Sequence, residues 1–581
     1  MATYTAPLRE LAFVLRDVVD VGQLTRLAAF TDADWGTCET LLDEASRLIT
    51  ARLLPLRASG DAQGCRWQDG EVQLPDGYAD AWRAYRDGGW IGLSKPAEWG
   101  GAGLPYVFAQ AVDEVLNACN VAFALYPMLT SGCFEAIRAS ASDALKARYL
   151  PRLANGAWSG TMCLTEPQAG SDLAAIRTRA APQADGSYRI DGAKIFFTAG
   201  EHGMADNIVH FVLARLPDAP PGVHGLSTFI VPKFVPDAQG QPGARNAVRC
   251  VSIEHKMGIH ASCTCAMQFE AAQGWLAGAP HAGIQNMFVM MNLERVMVGV
   301  QGLGLCELAT QNAFAYARSR HQGAAFNGGS TISNHPDVRR MLLTMKAITE
   351  GARVMAFDAA LHLDIAAHAT DADEREAARD WVDLATPLVK AFCTDSAFAL
   401  GSLAMQVYGG HGYIRDNGIE QIVRDARILC LYEGTNGIQA MDLVRRKLRL
   451  HEGRLPRRFF AAVRADCGSA APAFMVQPLL SALESLEEAT RWLQEDADRD
   501  SAGFAATRYL RAFALAWLGW SWLRMARAAQ PLADDVFRRD KLLTARFFAA
   551  QLLPEVGALC RALRQPAADW MQRDDAPAVS G

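Results

Sequence analysis

Cysteine is sparse in this sequence, with thirteen residues in a chain of 581. Most of the cysteines lie within apolar segments, which is typical of small buried side chains in a reducing compartment and not of a disulfide framework. We therefore expect free thiols. The first ten residues also lack the basic region and the apolar core of a secretory signal, so we expect a cytoplasmic protein.

The sequence also lacks a basic block and a long hydrophobic run. Its formal net charge is -6, spread over segments of mixed sign, which excludes the basic signature of a nucleic-acid-binding protein; we expect no nucleic-acid partner. The most apolar segment, residues 512–523 (AFALAWLGWSWL), is much shorter than the ~20 residues that cross a bilayer. We predict that this segment is a buried helix.

The length of the chain exceeds that of a single hydrophobic core, so several domains are expected. Helical spacing of apolar residues gives way to β-rich runs between Gly and Pro breaks, and later returns. The tail after Pro566 is expected to fray. The expected fold is α+β and multidomain, with an N-terminal helical domain (1–158), a middle β-barrel or sandwich (159–274), a helical bundle (275–450) and an additional C-terminal helical domain (451–581).

Two separate motifs carry chemistry. Residues 432–439 (YEGTNGIQ) set one carboxylate, Glu433, between an aromatic ring and a glycine, and residues 162–172 (MCLTEPQAGSD) form the second motif. In this order and spacing they resemble the catalytic and flavin-binding segments of the acyl-CoA dehydrogenases. Residues 406–413 and 423–427 precede Glu433 as they do in that family. The resemblance extends to the larger bacterial branch with an added helical C-terminal domain, which includes 3-methylmercaptopropionyl-CoA and fatty acyl-CoA dehydrogenases.

The resemblance implies a middle β-barrel and an FAD-dependent enzyme that converts an acyl-CoA to the trans-2-enoyl-CoA. In this expectation Glu433 is the base that removes the α proton, while a hydride leaves the β carbon for flavin N5. The electrons then pass to electron-transfer flavoprotein. The resemblance also implies substrate contacts by Ser171, Arg295, Tyr432 and Gly434.

A second carboxylate competes for the role of base. Glu294, in residues 292–295 (NLER), resembles the helix position from which the isovaleryl and long-chain branches of the family present their catalytic glutamate. Two ionised carboxylates in one apolar pocket would repel each other. We favour Glu433 because its loop motif is complete, and we interpret Glu294 as either an acid beside the reaction centre or an ion-pair partner on the helix surface.

The expected cofactor, FAD, needs a flat apolar wall, hydrogen bonds at the edge of its ring and donors for its pyrophosphate. By the resemblance, Met162, Leu164 and Thr165 contact the ring. Gly170 and Ser171 allow the backbone to approach phosphate closely.

A second flavin-contacting strand of the family corresponds to residues 194–198 (KIFFT), with Phe196 and Thr198 as the implied contacts. The family commonly has Trp at the position of Phe196, so some stacking area is lost. Alternatively, Phe196 and Phe197 are ordinary strand residues, one pointing inward and one outward.

The remaining cofactor contacts implied by the resemblance involve the pyrophosphate and adenine. Arg320 resembles the arginine that reaches the FAD of a neighbouring subunit, but the phenylalanine that commonly follows it is missing, so Arg318 is an alternative. The other implied contacts are Gln406, Gly409, Gly410, Thr435 and Asn436.

A zinc site was weighed for His255, His260, Cys263 and Cys265, which fall within eleven residues. Their spacing lacks a C-x-x-C pair and is poor for zinc, so we expect no metal.

Several functional alternatives stay open at this point. One is an acyl-CoA oxidase that passes electrons to oxygen, and another is a DNA-associated flavoprotein relative, which the lack of a basic C-terminal stripe disfavours. The C-terminal helices carry an acidic bias over residues 484–500, unlike the basic face of a membrane-surface helix. We therefore expect a soluble homodimer without stable membrane association.

Overall fold

The computed structural model describes residues 2–326, 328–468 and 470–571. The predicted fraying of the tail after Pro566 therefore falls largely outside the described residues. The α-helices are α1 Leu8–Ala12, α2 Trp35–Arg52, α3 Leu54–Gln63, α4 Tyr78–Asp87, α5 Tyr106–Ser140, α6 Asp143–Ala154, α7 Gly283–Ser319, α8 Pro336–His368, α9 Ala372–Tyr408, α10 Glu420–Leu429, α11 Asn436–Arg445, α12 Arg454–Asp466, α13 Ala473–Glu495, α14 Arg499–Ala529, α15 Asp535–Phe547, α16 Glu555–Leu563 and α17 Ala568–Met571. The strands are β1 Arg66–Gln68, β2 Glu71–Gln73, β3 Trp158–Cys163, β4 Arg179–Pro182, β5 Tyr188–Thr198, β6 Asn207–Arg215, β7 Leu226–Pro232, β8 Phe234–Pro236, β9 Pro242–Arg245, β10 Val248–Ile253 and β11 Thr264–Ala277.

The chain divides into two compact units. The first comprises Thr3–Ala6 and Gly36–Met297, and the second comprises Pro7–Trp35 and Val298–Gly581. The strands all lie in the first unit, whereas the second is helical. The predicted α+β multidomain order of helical, β, helical and helical parts is confirmed, while the bounds of the four domains stay predictions.

Strand pairing in the first unit closes into a barrel. β5 pairs with β11 and β4, β7 pairs with β11 and β6, and β4 meets β6, so the path of pairing returns to its start. This confirms the predicted middle β-barrel. β3 joins the sheet parallel to β6, and β10 joins it antiparallel to β11.

A small β-hairpin interrupts the first helical domain, and the sequence analysis did not predict it. β1 and β2 pair through a turn at Asp69 and Gly70, both with positive φ (52° and 88°). Asp-Gly is the sequence preferred by two-residue hairpin turns of this kind. The strands are only three residues long and mostly exposed, so no hydrophobic alternation marks them.

The long helix α5 is kinked at Asn120, whose side chain caps the second half of the helix. Asn120 has φ −159° and ψ 84°, and its Oδ1 accepts a hydrogen bond from Phe123 N at 3.0 Å. The second half of α5 packs closely on β3, since a Cβ on Gly160 would lie only 2.5 Å from the Cβ of Cys133. This contact places α5 directly behind the strand that leads into the 162–172 motif.

The apolar segment at residues 512–523 lies within α14 and is buried in the second unit, which confirms the prediction. Trp517 packs edge-on against Trp381 of α9, with ring centroids 4.9 Å apart. Trp522 Nε1 donates a hydrogen bond to Ala347 O of α8 at 2.9 Å. The C-terminal helices therefore contribute to the same core as α8 and α9.

Two helical stretches, Ala372–Tyr413 and Asp535–Leu563, are long and apolar enough to cross a membrane by length and composition alone. The most apolar window of the first is 67% buried in the structure, and that of the second is 33% buried. Core helices of soluble proteins satisfy the same criterion, so this is weak evidence for a membrane span.

A buried ionic cluster joins α1, α8 and α15 in the second unit. The Lys541 ammonium binds Glu10 and, at 2.8 Å, Glu350, and Lys346 also binds Glu350. Burial opposes ionisation of Glu350, but the two lysines outweigh it and lower its pKa to about 2. Burial and the nearby Glu350 carboxylate raise the pKa of Glu10. Lys541 is thus the shared counter-ion of two buried acids.

We expect Lys541→Ala to destabilise the protein, because Glu10 and Glu350 lose their shared counter-ion. Removing one partner of a buried ion pair costs about 3–5 kcal/mol. The measurement is the unfolding temperature by circular dichroism at neutral pH. As a control, Lys146→Ala removes the partner of the exposed Asp143 and should have little effect. Equal falls in the two variants would contradict the prediction.

Candidate active site

The residues predicted from the sequence fall into two groups, one in each compact unit. The first group consists of the 162–172 motif, Phe196, Thr198, Glu294 and Arg295. The second consists of Arg320, residues 406–410 and the loop at residues 432–436.

The two predicted flavin-contacting segments meet in the first unit. Ile195 N donates a hydrogen bond to Thr165 O at 2.9 Å, and Lys194 Nζ donates to Leu164 O at 2.8 Å. The residues after β3 are thereby attached to the end of β5. The structure thus brings together Met162, Leu164 and Thr165 on one side with Phe196 and Thr198 on the other.

Phe196 is exposed because β5 bulges at this point. β11 pairs with Phe197 and with Lys194 but skips the residues between them, and Phe196 adopts a φ of 53°. Its ring is 62% exposed, whereas Phe197 is buried. Simple strand alternation also predicts one ring inward and one outward, but it does not predict a left-handed backbone. A left-handed non-glycine residue costs roughly 1–2 kcal/mol, and such strain concentrates at functional sites.

Glu166 organises the 162–172 motif, although the sequence analysis gave it no role. Its buried carboxylate accepts hydrogen bonds from Arg177 N (2.7 Å) and from Thr178 N and Oγ1 (3.0 and 2.6 Å). It also forms an ion pair with Lys194 at 2.9 Å. Burial opposes its ionisation, but Lys194 and these donors outweigh burial and lower the pKa of Glu166 to about 2. The motif is therefore held by an ionised pair beneath it.

Gly170 and Ser171, at the other end of this motif, are exposed. A Cβ on Gly170 would meet no other atom within 4 Å. The space beside Gly170 is therefore open to a close approach by a ligand, as the sequence analysis expected for a phosphate contact.

Glu294 is fully buried on α7, so the alternative that placed it on the helix surface is wrong in that respect. A Cβ on Gly132 of α5 would lie 2.3 Å from Glu294 Oε1, so the missing side chain of Gly132 makes room for the carboxylate. Arg295 is also buried, and its Nη1 donates to Asn292 Oδ1 at 3.2 Å.

The predicted catalytic loop, in the second unit, joins α10 to α11. Glu433 and Gly434 both have positive φ (55° and 81°), so the chain turns sharply at the carboxylate. Glu433 itself is half-buried. Thr435 then caps α11, with its Oγ1 accepting from Ile438 N at 3.2 Å. The helix cap fixes where the loop ends.

A buried lysine, Lys390 of α9, holds this loop from below. Its Nζ donates to Gly434 O at 3.0 Å and to Asn436 Oδ1 at 2.8 Å. Gln439 Nε2 donates to Glu433 O at 3.2 Å. Lys390 was not among the residues predicted from the sequence. A lone lysine in the apolar run at residues 387–393 (PLVKAFC) is nevertheless a usable signal, because a buried lysine requires partners.

Asn436 contributes to the same support. It is buried, and its Nδ2 donates to Asp395 Oδ1 at 2.7 Å and to Thr394 Oγ1 at 3.0 Å. Since its side-chain amide makes these bonds within the fold, we interpret Asn436 as a residue that positions the loop and not as a direct cofactor contact. On the other side of the loop, Tyr432 OH donates to the buried Gln301 Oε1.

The predicted pyrophosphate residues lie on an exposed part of the second unit. Arg318, Arg320, Gln406, Gly409 and Gly410 are all exposed. The end of α7 is joined to the end of α9 by Tyr316, which stacks on Tyr408 at 4.0 Å and bonds His411 Nδ1 at 2.8 Å. A Cβ on Gly409 or Gly410 would meet no other atom within 4 Å. The structure therefore brings these predicted residues together around open glycine backbone.

His260, one of the residues considered for zinc, makes other contacts. His260 Nδ1 and Nε2 lie 3.0 and 2.9 Å from the carbonyl oxygens of Asp61 and Lys256, and all thirteen cysteines are free. Among the described residues, no three His, Cys, Asp or Glu side chains are grouped so as to hold a metal ion.

Four family profiles match successive parts of the chain. The acyl-CoA dehydrogenase N-terminal domain matches residues 37–157, the middle domain 161–272 and the C-terminal domain 281–448. A profile described as acetyl-CoA dehydrogenase C-terminal like matches residues 459–574.

Individual relatives cover nearly the full length. The chain is 42% identical over 571 residues to the 3-methylmercaptopropionyl-CoA dehydrogenase of Ruegeria pomeroyi, with 96% of this chain and 97% of that protein covered. It is 32% identical to the broad-specificity linear acyl-CoA dehydrogenase FadE5 of Mycobacterium tuberculosis, with 99% and 100% covered. A crystal structure of an acyl-CoA dehydrogenase complexed with FAD from Bacillus anthracis has a similar fold, with a TM-score of 0.76, 20% identity, and 94% of this chain and 91% of that chain covered.

We expect Glu166→Gln to lower the unfolding temperature at pH 7, because the folded protein stabilises the ionised carboxylate of Glu166. Folding lowers the pKa of Glu166 from 4.5 to about 2, which adds on the order of 3 kcal/mol to the free energy of unfolding at pH values above 4.5. This stabilisation is lost as the pH falls from 4.5 toward 2. The gap between variant and wild type should therefore narrow at pH 4. Glu270→Gln, which removes an exposed ion pair with Arg249, is the control and should stay close to wild type. A gap that does not depend on pH would contradict the assignment.

Proposed function

Because these matches span nearly the whole chain, it belongs to the acyl-CoA dehydrogenase family, and we propose that it oxidises the α,β bond of an acyl-CoA with FAD as cofactor and Glu433 as base. The product is the trans-2-enoyl-CoA. The observation that carries this proposal is the 432–436 loop, which presents a half-buried carboxylate at a left-handed turn held by Lys390.

The residues present fit a flavin. The exposed ring of Phe196 offers an apolar wall beside Leu164 and Thr165, and the open backbone at Gly170 and Gly409 leaves room for phosphate. We propose that Met162, Ser171, Thr198 and one of Arg318 and Arg320, with Gln406 and Gly410, complete the contacts. When bound, FAD supplies the acceptor for the hydride that leaves the β carbon.

The protein's own part in the reaction is to take a proton and to fix the thioester. A Glu433 carboxylate oxygen removes the α proton, which requires a base held within hydrogen-bond reach. Family resemblance assigns the backbone N–H of Glu433 to the thioester oxygen, so that one residue both polarises the carbonyl and accepts the proton. Tyr432 and Gly434 flank the acyl group, and Arg295 lies toward the CoA moiety.

Glu433 is preferred to Glu294 because of their surroundings. Glu433 is half-buried on a loop with specific backbone support, as a group that must meet a substrate requires. Glu294 is fully buried against Gly132 and Met290. We propose that Glu294 is an acid beside the reaction centre.

The electron acceptor that we propose is electron-transfer flavoprotein, and the assembly is a cytoplasmic homodimer without a nucleic-acid partner or stable membrane association. Exposed apolar side chains next to Gly410, namely Tyr413 and Ile414, favour a subunit contact at this surface. The activities for which the two relatives are named favour an unbranched acyl group.

The test of the function is spectroscopic. The purified protein should be yellow with one FAD per chain, and anaerobic addition of unbranched acyl-CoAs should bleach the flavin. Rapid reoxidation by air would favour the alternative acyl-CoA oxidase, whereas reoxidation only by electron-transfer flavoprotein supports the proposal. Correctly folded protein that takes up no FAD would overturn it.

We expect Glu433→Gln to retain FAD and bind acyl-CoA but fail to bleach the flavin, because the amide keeps the shape of the side chain and removes the base. Glu294→Gln should retain substantial turnover. Flavin reduction in a stopped-flow instrument measures both. An inactive Glu294→Gln beside an active Glu433→Gln would reverse the assignment.

We expect Lys390→Met to lower kcat about 10- to 100-fold with a small change in KM, because small displacements of a reacting group have effects of this size. Lys390 acts as a positioning residue through Gly434 and Asn436. The control is Lys447→Met, which removes another buried lysine of the same unit, paired with Asp383. Both variants should be less stable than wild type, but only Lys390→Met should have a lower kcat. Equal losses of kcat would indicate a general structural effect.

A further inference from the structure

A cavity of about 20 Å³ in the first unit is lined by residues of α4, the segment that follows α4, α5 and α7. This volume holds about one water molecule. Three aromatic rings line it, those of Tyr85, Trp90 and Tyr106. The polar side chains of Gln110 and Asp113 line the cavity as well.

One polar atom at this cavity, Gln110 Oε1, lacks a hydrogen-bond donor among the described residues. Gln110 is fully buried, and its Nε2 donates to Asp113 Oδ2 at 2.8 Å. With Nε2 on the side of Asp113, Gln110 Oε1 is buried without a hydrogen-bond partner among the described residues. Burial raises the pKa of Asp113 to about 7. Leaving a buried acceptor without a donor is destabilising, so a ligand that donates a hydrogen bond is favoured here.

The cavity lies beside residues of the proposed reaction centre. Met297, which lines it, is one helical turn beyond Glu294 on α7. Ser131, also in the lining, precedes the Gly132 that contacts Glu294. Gly160 of β3, the strand that leads into the flavin motif, packs on the same part of α5. An acyl chain that starts beside this strand is therefore within reach of the cavity.

The charges around the cavity disfavour an anionic tail. Among the described residues that line it, Asp113 is the charged one and none is basic. The nearest buried cation in sequence, Lys95, bonds Glu135 at 3.3 Å and lies 5.0 Å from the centroid of the Phe134 ring. The charge of Lys95 acts on Asp113 and opposes the effect of burial on its pKa, but among the described residues no basic side chain lines the cavity itself. An acyl group ending in a carboxylate would therefore meet the Asp113 carboxyl group there without a cation at the cavity wall.

We propose that this cavity receives the far end of the acyl group and selects a chain that ends in a hydroxyl, which donates a hydrogen bond to Gln110 Oε1 or Asp113. The cavity holds about one water molecule, so it takes the terminal hydroxyl itself. This inference rests on the proposed function, since it takes the thioester to react beside β3.

The experiment compares acyl-CoAs of equal chain length whose ends differ. Pentanoyl-, 3-methylmercaptopropionyl- and 4-hydroxybutyryl-CoA form one set, and heptanoyl- and 6-hydroxyhexanoyl-CoA form a longer pair. At one of the two lengths the hydroxyl-terminated substrate should have a kcat/KM at least about tenfold above its methyl-terminated counterpart, because a site built for a hydroxyl discriminates against its loss. A methyl-terminated substrate that is equal or better at both lengths would overturn the inference.

Substitutions at Gln110 and Asp113 test whether the preference for a hydroxyl arises in this cavity. Gln110→Leu and Asp113→Leu should each abolish the preference for the hydroxyl, and calorimetric titration with the hydroxyl-terminated CoA thioester should show weaker binding. Asp143→Leu, at an exposed acid of the same helical domain, should leave both unchanged. If either variant fails to fold, the comparison of substrates with wild-type protein still decides. A preference that persists in a folded Gln110→Leu variant would also overturn the assignment.

Failure of this inference differs from failure of the proposed function. If the enzyme oxidises hydroxyl-terminated and methyl-terminated acyl-CoAs equally well, only the assignment of the cavity is contradicted. A protein whose flavin no acyl-CoA bleaches contradicts the function, and the inference with it.

Discussion

A buried lysine ammonium that donates to backbone carbonyls supports each half of the proposed site. Lys194 bonds Leu164 O and pairs with Glu166 beneath the flavin motif, and Lys390 bonds Gly434 O and Asn436 beneath the catalytic loop. Removing an ammonium from water costs several kcal/mol, which only several well-formed bonds offset. The two loops are therefore coupled to the packing of β5 and α9, and they keep their geometry only while those elements are folded.

This support explains why two non-glycine residues keep left-handed backbones. Phe196 and Glu433 both have positive φ. Phe196 lies two residues after Lys194, which donates to Leu164 O, and Glu433 O accepts a hydrogen bond from the buried Gln439. The strain is stored where the ring and the carboxylate must face a ligand. A site whose groups are already oriented loses less free energy to reorganisation during the reaction, which is the general advantage of preorganisation.

Much of the fold and of the candidate site could be predicted from the sequence because the signals are local. The order of the domains follows from periodicity, the burial of α14 from its apolar run, and Glu433 from a contiguous motif. The missing parts depend on contacts between distant residues. The burial of Glu294 requires the absence of a side chain at Gly132, and the role of Lys390 requires a loop more than forty residues further along the chain. No local pattern encodes such contacts.

The ionic cluster of the second unit also bears on how the chain is made. Glu10 and Lys541, which share an ion pair, are separated by 531 positions. At a synthesis rate of about 5–20 residues per second, the counter-ion of Glu10 leaves the ribosome roughly half a minute to two minutes after Glu10 itself. The first unit is nearly continuous in sequence and is free to fold during that interval. The N-terminal segment can pair with Lys541 only once that residue has left the ribosome, so this part of the second unit is among the last to complete its fold.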